Sequence, residues 1–132
     1  MGPRPVRRQP LSIKVPDGYG LRVLDEVDST NTEAARLVGQ LAGPEWILAR
    51  RQTNGRGRRG RAWSDPVGNF AASLVLFPKQ SPEQIALRSF VAALALYDAF
   101  VATTGRSDAL ALKWPNDVLF NGGKVAGILL ET

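Results

Sequence analysis

Cysteine and histidine are both absent from this 132-residue chain, and methionine occurs once. Without cysteine there can be no disulfide and no thiolate metal site, which suits a cytoplasmic setting without requiring one. Without histidine the commonest general base, metal ligand and pH switch is missing. Any catalysis must therefore rest on Lys, Arg, Asp, Glu or backbone groups. No apolar run reads as membrane-spanning, and the N-terminus lacks the apolar segment of a signal peptide. A myristoylation signal fails because Val6 stands where Ser or Thr is needed. Acid is absent from one stretch altogether, Arg50 to Trp63.

That stretch organises the chain. It carries six arginines and three glycines, Gly55, Gly57 and Gly60. Like charges so close repel one another unless an anion sits among them, and guanidinium forks match phosphate and carboxylate oxygens. The stretch reads as a flexible loop for an anion, expected to lack order until one binds. Gly55 to Gly60 fits G-x-G-x-x-G, but Arg61-Ala62-Trp63-Ser64-Asp65-Pro66 does not open a helix, so the dinucleotide reading fails on context. No P-loop is present. A solvated basic loop or a nucleic-acid patch stays open on these residues alone.

Length and composition allow one domain: 44% apolar and 22% charged residues are ordinary globular usage, and 17 basic against 12 acidic residues leave +5. Residues 1–20, with their prolines and arginines, read as a loose arm, and 21–132 as the folded part. A first strand is expected at Leu21–Val27. A helix follows from Ser29-Thr30, with Thr30 and Glu33 as a capping box and a stripe of Ala34, Leu37, Val38 and Leu41. Trp46–Ala49 and Asn69–Phe77 read as strands. Ser81-Pro82-Glu83-Gln84 opens a long helix whose face of Leu87, Phe90, Val91, Leu94, Tyr97 and Val101 should pack deep against a sheet, ending at Gly105. Ala109–Lys113 is another strand, then Val118–Phe120 and Lys124–Leu130 form a hairpin around Asn121-Gly122-Gly123. The class is α+β, a mixed or antiparallel sheet with helices on one face. The apolar end at Ile128-Leu129-Leu130 reads as a mid-sheet strand cut short. Such a piece is expected to self-associate and to be weak in binding and catalysis.

Two further pieces are bland when taken singly. Asp28-Ser29-Thr30-Asn31 is helix capping, and Lys113-Trp114-Pro115-Asn116-Asp117 is a lysine before an ordinary turn. Together with the arginine loop from Gln52 to Trp63, and with Lys124-Val125-Ala126-Gly127-Ile128-Leu129, they resemble the catalytic domain of biotin protein ligases, relatives of the lipoate ligases. Order and spacing match over residues 24–131. The resemblance implies the class II synthetase-like fold, with a later segment and a small β-barrel missing, and a two-step reaction: biotin and ATP give biotinyl-adenylate, then a carrier-protein lysine takes the biotinyl group. It implies that Ser29, Thr30, Asn31, Gln52, Gly55, Arg56 and Lys113 hold biotin. It also implies that Arg56, Gly57, Arg58, Arg61, Trp63, Lys113 and Asn116 hold ATP or the adenylate. Lys113, bridging carboxylate and α-phosphate, and Arg58 are the implied catalytic residues. Mg²⁺ is expected with ATP, its ligands unassigned. The implied partner is a biotin carboxyl carrier protein, with a homodimer possible, no membrane and no specific nucleic acid. No helix-turn-helix precedes the first strand, which argues against repressor activity, and Asn54 departs from the expected alanine.

The chemistry suits these residues independently. Bringing a carboxylate up to a triphosphate meets anion repulsion, which arginines and a lysine relieve without a histidine. A nucleic-acid module would leave the Lys113–Asp117 turn unexplained and offers only Trp63 for base stacking. A lipoyl or octanoyl transferase of the same fold is a further alternative, disfavoured by the arginine loop.

Overall fold

The computed structural model describes residues 13–66 and 68–132. The expected arm therefore lies partly outside the described residues. Its described end, from Ile13, turns at Pro16–Tyr19 and enters the first strand at Gly20. The chain divides into two compact units, one up to Phe77 and the other Pro78–Thr132.

The first unit is built on strands β1 (Gly20–Leu24), β2 (Glu45–Ala49) and β3 (Ala71–Val75), with helix α1 (Thr30–Leu37) between the first two. β1 and β2 are parallel, because α1 carries the chain back across the sheet, and β2 and β3 are antiparallel. Leu24, Val27, Ile47, Ala49 and Val75 form the core, covered by Ala34, Leu37 and Leu41. Burying each large aliphatic side chain there stabilises the unit by about 1.5–3 kcal/mol. Three of the four stripe residues of α1 thus face inward. Val38 does not: it is 43% exposed, because the helix tightens into a 3₁₀ turn at Val38–Gln40 and rotates it outward.

The second unit holds helices α2 (Pro82–Ala86) and α3 (Arg88–Thr104) and strands β4 (Leu110–Lys113), β5 (Asp117–Phe120) and β6 (Gly123–Gly127). α2 has the expected capping box, with Ser81 and Gln84 each serving the other's backbone N–H. β4, β5 and β6 form an antiparallel meander. The β5–β6 link is a two-residue turn with Asn121 at φ 49° and Gly122 at φ 81°, the left-handed pair that such a hairpin needs.

Several expectations are corrected. The single sheet is two three-stranded sheets. The long helix breaks at Leu87, and its apolar face is not deeply packed: Leu87, Val91 and Leu94 are each at least half exposed, and Ala93 alone in α3 is buried among the described residues. Three strands of four or five residues offer less surface than a 17-residue helix presents. Taken through the break, Pro82–Thr104 is also long and apolar enough to cross a membrane by length and composition, contrary to the sequence reading. Here it carries Glu83, Arg88 and Asp98 and packs on β4 and β5. Finally, β6 stops at Gly127, so Ile128-Leu129-Leu130 is not a mid-sheet strand. Ile128 is instead held by Asn116, whose carbonyl accepts its N–H at 3.0 Å.

Candidate functional site

The parallel pairing of β1 and β2 continues beyond both strands. Val27 bridges Gln52, Thr53 N–H donates to the Val27 carbonyl at 2.9 Å, and Asn54 N–H donates to the Asp28 carbonyl at 2.8 Å. This places the start of α1 beside the start of the arginine loop. Ser29 is the helix cap, accepting from Thr32 N–H at 3.1 Å. The cap is therefore Ser29, one residue before the Thr30 expected, and it is a single bond and not the expected box with Glu33. Thr30 instead lies inside the first turn, where its hydroxyl serves the site, and Glu33 turns to Arg36 at 2.8 Å.

A polar network is buried at this junction. Gln52 Oε1 accepts from Thr30 N–H at 2.8 Å and from Thr30 Oγ1 at 3.1 Å. The Ser73 hydroxyl, from β3, lies 2.8 Å from Thr30 Oγ1 and also contacts Asn31 Oδ1. Arg56 Nη1 donates to Ser29 Oγ at 3.0 Å and to Thr32 Oγ1 at 2.6 Å. Asp65 accepts from Gln52 N–H at 2.8 Å, so both ends of the loop are tied. Ser29, Thr30 and Ser73 are each less than 10% exposed. Beneath them Asp28 meets Arg36, whose guanidinium, with the Ser29 N–H, holds its carboxyl below the usual carboxylate range.

The loop closes on itself. Gly57 N–H donates to the Arg61 carbonyl at 2.7 Å, and Trp63 N–H to the Gly55 carbonyl at 3.1 Å. Arg59 takes the left-handed region at φ 60°, a conformation a side chain adopts at some strain. Gly55 is buried because Gln52 crowds it: a Cβ there would stand 2.9 Å from Gln52 Nε2. The premise of six uncompensated charges is corrected, since Arg50 meets Asp25 at 3.7 Å and Arg51 meets Glu26 at 3.1 Å. Arg56 is held by the hydroxyls. Among the described residues Arg58, Arg59 and Arg61 are exposed and have no acidic partner.

In the second unit Lys113 ends β4, exposed and directly opposite Asp117 on β5. Asp117 Oδ1 pairs with Lys124 Nζ at 3.2 Å, so a second lysine stands at the same carboxylate's strand position. Trp114, 77% exposed, stacks on Phe90 with ring centroids 4.5 Å apart. Asn116 is buried, its Nδ2 donating to the Ile128 carbonyl, while its Oδ1 has no partner.

A family profile described as the Biotin/lipoate A/B protein ligase family matches residues 23–132. The chain belongs to that family. Its biotin/lipoate ligase relatives include the biotin--[acetyl-CoA-carboxylase] ligase of Paracoccus denitrificans, 59% identical over 110 residues, covering 83% of this chain and 46% of that protein. The bifunctional ligase/repressor BirA of Escherichia coli is 36% identical over 116 residues, covering 87% and 36%. The biotin protein ligase of Aquifex aeolicus, solved in complex with biotin and ATP, superposes with a TM-score of 0.75 at 35% identity, covering 86% and 47%. The chain thus spans about half the length, or less, of the relatives it matches.

Within this biotin/lipoate ligase unit the structure brings together Ser29, Thr30, Asn31, Gln52, Gly55 and Arg56. Gly57, Arg58, Arg61 and Trp63 lie on the same loop, and Lys113 and Asn116 on the second unit. Sequence reasoning missed Ser73 and Asp65, and took Lys124 only as part of a motif, with no role. Ser73 was signalled by its place: in β3 the buried positions alternate as Ala71, Ser73, Val75, and a hydroxyl among them needs a polar neighbour. Nothing local marked Asp65.

Proposed function

We propose that this chain carries the biotin and ATP sites of a biotin protein ligase, which forms biotinyl-5′-adenylate and passes the biotinyl group to a lysine of a biotin carboxyl carrier protein. The observation that supports it best is the junction of buried Thr30 and Ser73 with half-buried Gln52 and Asn31, at the start of the loop whose Arg58, Arg59 and Arg61 have no acidic partner among the described residues. A cyclic urea offers N–H donors and one carbonyl, and the junction supplies matching acceptors and donors in a water-poor setting. Ser29, Thr30, Asn31 and Gln52 are assigned to that ring, with Gly55 and Arg56 closing over it.

The arginines divide their work. Arg56 is committed to Ser29 and Thr32 and shapes the biotin site, and its backbone borders the adenylate. Arg58 and Arg61 are free to take phosphate oxygens, Gly57 lets the loop approach them, and Trp63 is assigned to the adenine. Neutralising both anions lowers the barrier to carboxylate attack on the α-phosphorus. Lys113 is assigned to bridge carboxylate and α-phosphate with Asn116 near it, and Lys124, across Asp117, is the second cation able to do so. Mg²⁺ is proposed to arrive as MgATP, held largely by phosphate and water. The carrier, a cytoplasmic setting and a homodimer belong to this proposal, as does the absence of specific nucleic-acid or membrane binding.

The test is ATP–pyrophosphate exchange. Exchange that depends on added biotin supports the reading. Exchange indifferent to biotin, or driven by lipoate or octanoate instead, refutes it.

A further inference from the structure

We infer that Arg36 is a positioning residue for biotin recognition: by clamping Asp28 it fixes where Ser29 and Thr30 stand. This rests on the reading of those two residues as biotin-binding. Arg36 lies in the last turn of α1, and its hydrogen bonds go to Asp28 and Glu33, not to Ser29, Thr30 or Gln52. Its guanidinium grips both Asp28 carboxylate oxygens, Nη1 at 3.1 Å and Nη2 in close contact, while Nη1 also reaches Glu33 Oε1 at 2.8 Å. Two-point recognition fixes direction as well as distance, which a single charge contact does not.

Asp28 is the right residue to hold. Its Oδ1 accepts the Ser29 N–H at 2.8 Å, and its carbonyl accepts Asn54 N–H from the arginine loop. One residue therefore orients the α1 cap and anchors the loop that closes over it. Ser29 in turn receives Arg56. Glu33, 5% exposed, has Arg36 as its one ion pair among the described residues. Loss of Arg36 would leave that carboxylate buried without a cation and let Asp28 turn to water. The disturbance falls on Ser29 and Thr30, while Arg58 and Arg61 have no contact with the clamp. The expected signature is selective: biotin recognition suffers and nucleotide binding does not.

The experiment measures biotin and MgATP affinity separately by calorimetry, with thermal unfolding of the same samples, for the parent chain, Arg36→Gln, Arg36→Lys, Asp28→Asn and the double variant Asp28→Asn/Arg36→Gln. Arg36→Gln should weaken biotin on the order of 10-fold, the low end of what loss of an orienting partner does, with MgATP affinity unchanged. Arg36→Lys should recover part of the loss. The double variant should be no weaker than the worse single one, because both act through one contact. Unchanged biotin affinity in a folded Arg36→Gln, equal losses for biotin and MgATP, or fully additive single losses would each overturn the inference. A parent that binds no biotin defeats the underlying reading and this inference together, whereas a biotin-binding parent indifferent to Arg36 defeats this inference alone.

Discussion

Gly55→Ala tests the candidate site with the addition of one methyl group. The Cβ would stand 2.9 Å from Gln52 Nε2 and 3.4 Å from the Trp63 carbonyl, so something must shift. A glutamine amide normally moves aside cheaply, but this one is held through Oε1 by the Thr30 N–H and hydroxyl. To regain ordinary contact the amide must retreat by about 0.5 Å, and its oxygen moves with it. Loss of both Thr30 bonds at about 1 kcal/mol each gives roughly 2 kcal/mol, or about 30-fold in affinity. Biotin titration by calorimetry should show that loss, with the Tm falling by roughly 6–10 °C because the same two bonds leave the free protein. A Gly55→Ala chain that binds biotin like the parent would show that Gln52 is not held where the ring needs it, and the assignment of Gln52 and Thr30 would fall.

Lys113→Ala should slow adenylate formation by on the order of 10²–10³-fold, the usual effect of deleting one transition-state donor; if Lys124→Ala alone does this, the bridging role passes to Lys124. Arg58→Gly should leave adenylate formation largely intact but release the adenylate into solution, and full retention would end the loop's role as a lid. Arg36 lowers the Asp28 pKa, so the clamp's contribution to stability is present above the ordinary carboxylate value, about 3.9, and is lost as pH falls through the lowered value. The Tm gap between parent and Arg36→Gln should accordingly be full near pH 6 and shrink in acid; a constant gap would mean that Asp28 carries no such linkage. DNA should bind at low salt and dissociate steeply as salt rises, with no sequence preference; sequence-selective binding at physiological salt would promote the nucleic-acid reading.

Local signals carried most of the secondary structure. Ser81 and Gln84 marked the α2 cap, Asn121-Gly122 marked the hairpin, and Gly105 closed α3, because each fixes backbone geometry within a few residues. What failed was long-range. Apolar spacing on α3 could not reveal how much sheet was available to cover it, and Ile128–Leu130 looked like a strand because composition cannot report that Asn116 intercepts Ile128. The site was legible as motifs, yet not as a division of labour. Nothing in the run of arginines shows that Arg50, Arg51 and Arg56 are already engaged while Arg58, Arg59 and Arg61 have no acidic partner among the described residues. Asp65 and Ser73 lie 13 and 43 residues from the groups they hold, Gln52 and Thr30, which is beyond the reach of any local pattern.

The pairing of Val27 with Gln52 has a consequence for how the protein can be altered. Because the backbone ladder running from Gly20 to Asn54 sets the register of both binding segments, the short connection between α1 and β2 has room to vary in length. Gly39 and Gly43, at the far end of α1, meet nothing within 4 Å of an added Cβ. A short flexible insert or a fluorescent tag placed there would report on the protein while leaving the Thr30–Gln52 contact intact, since lengthening a surface loop adds little to the free energy of closing it.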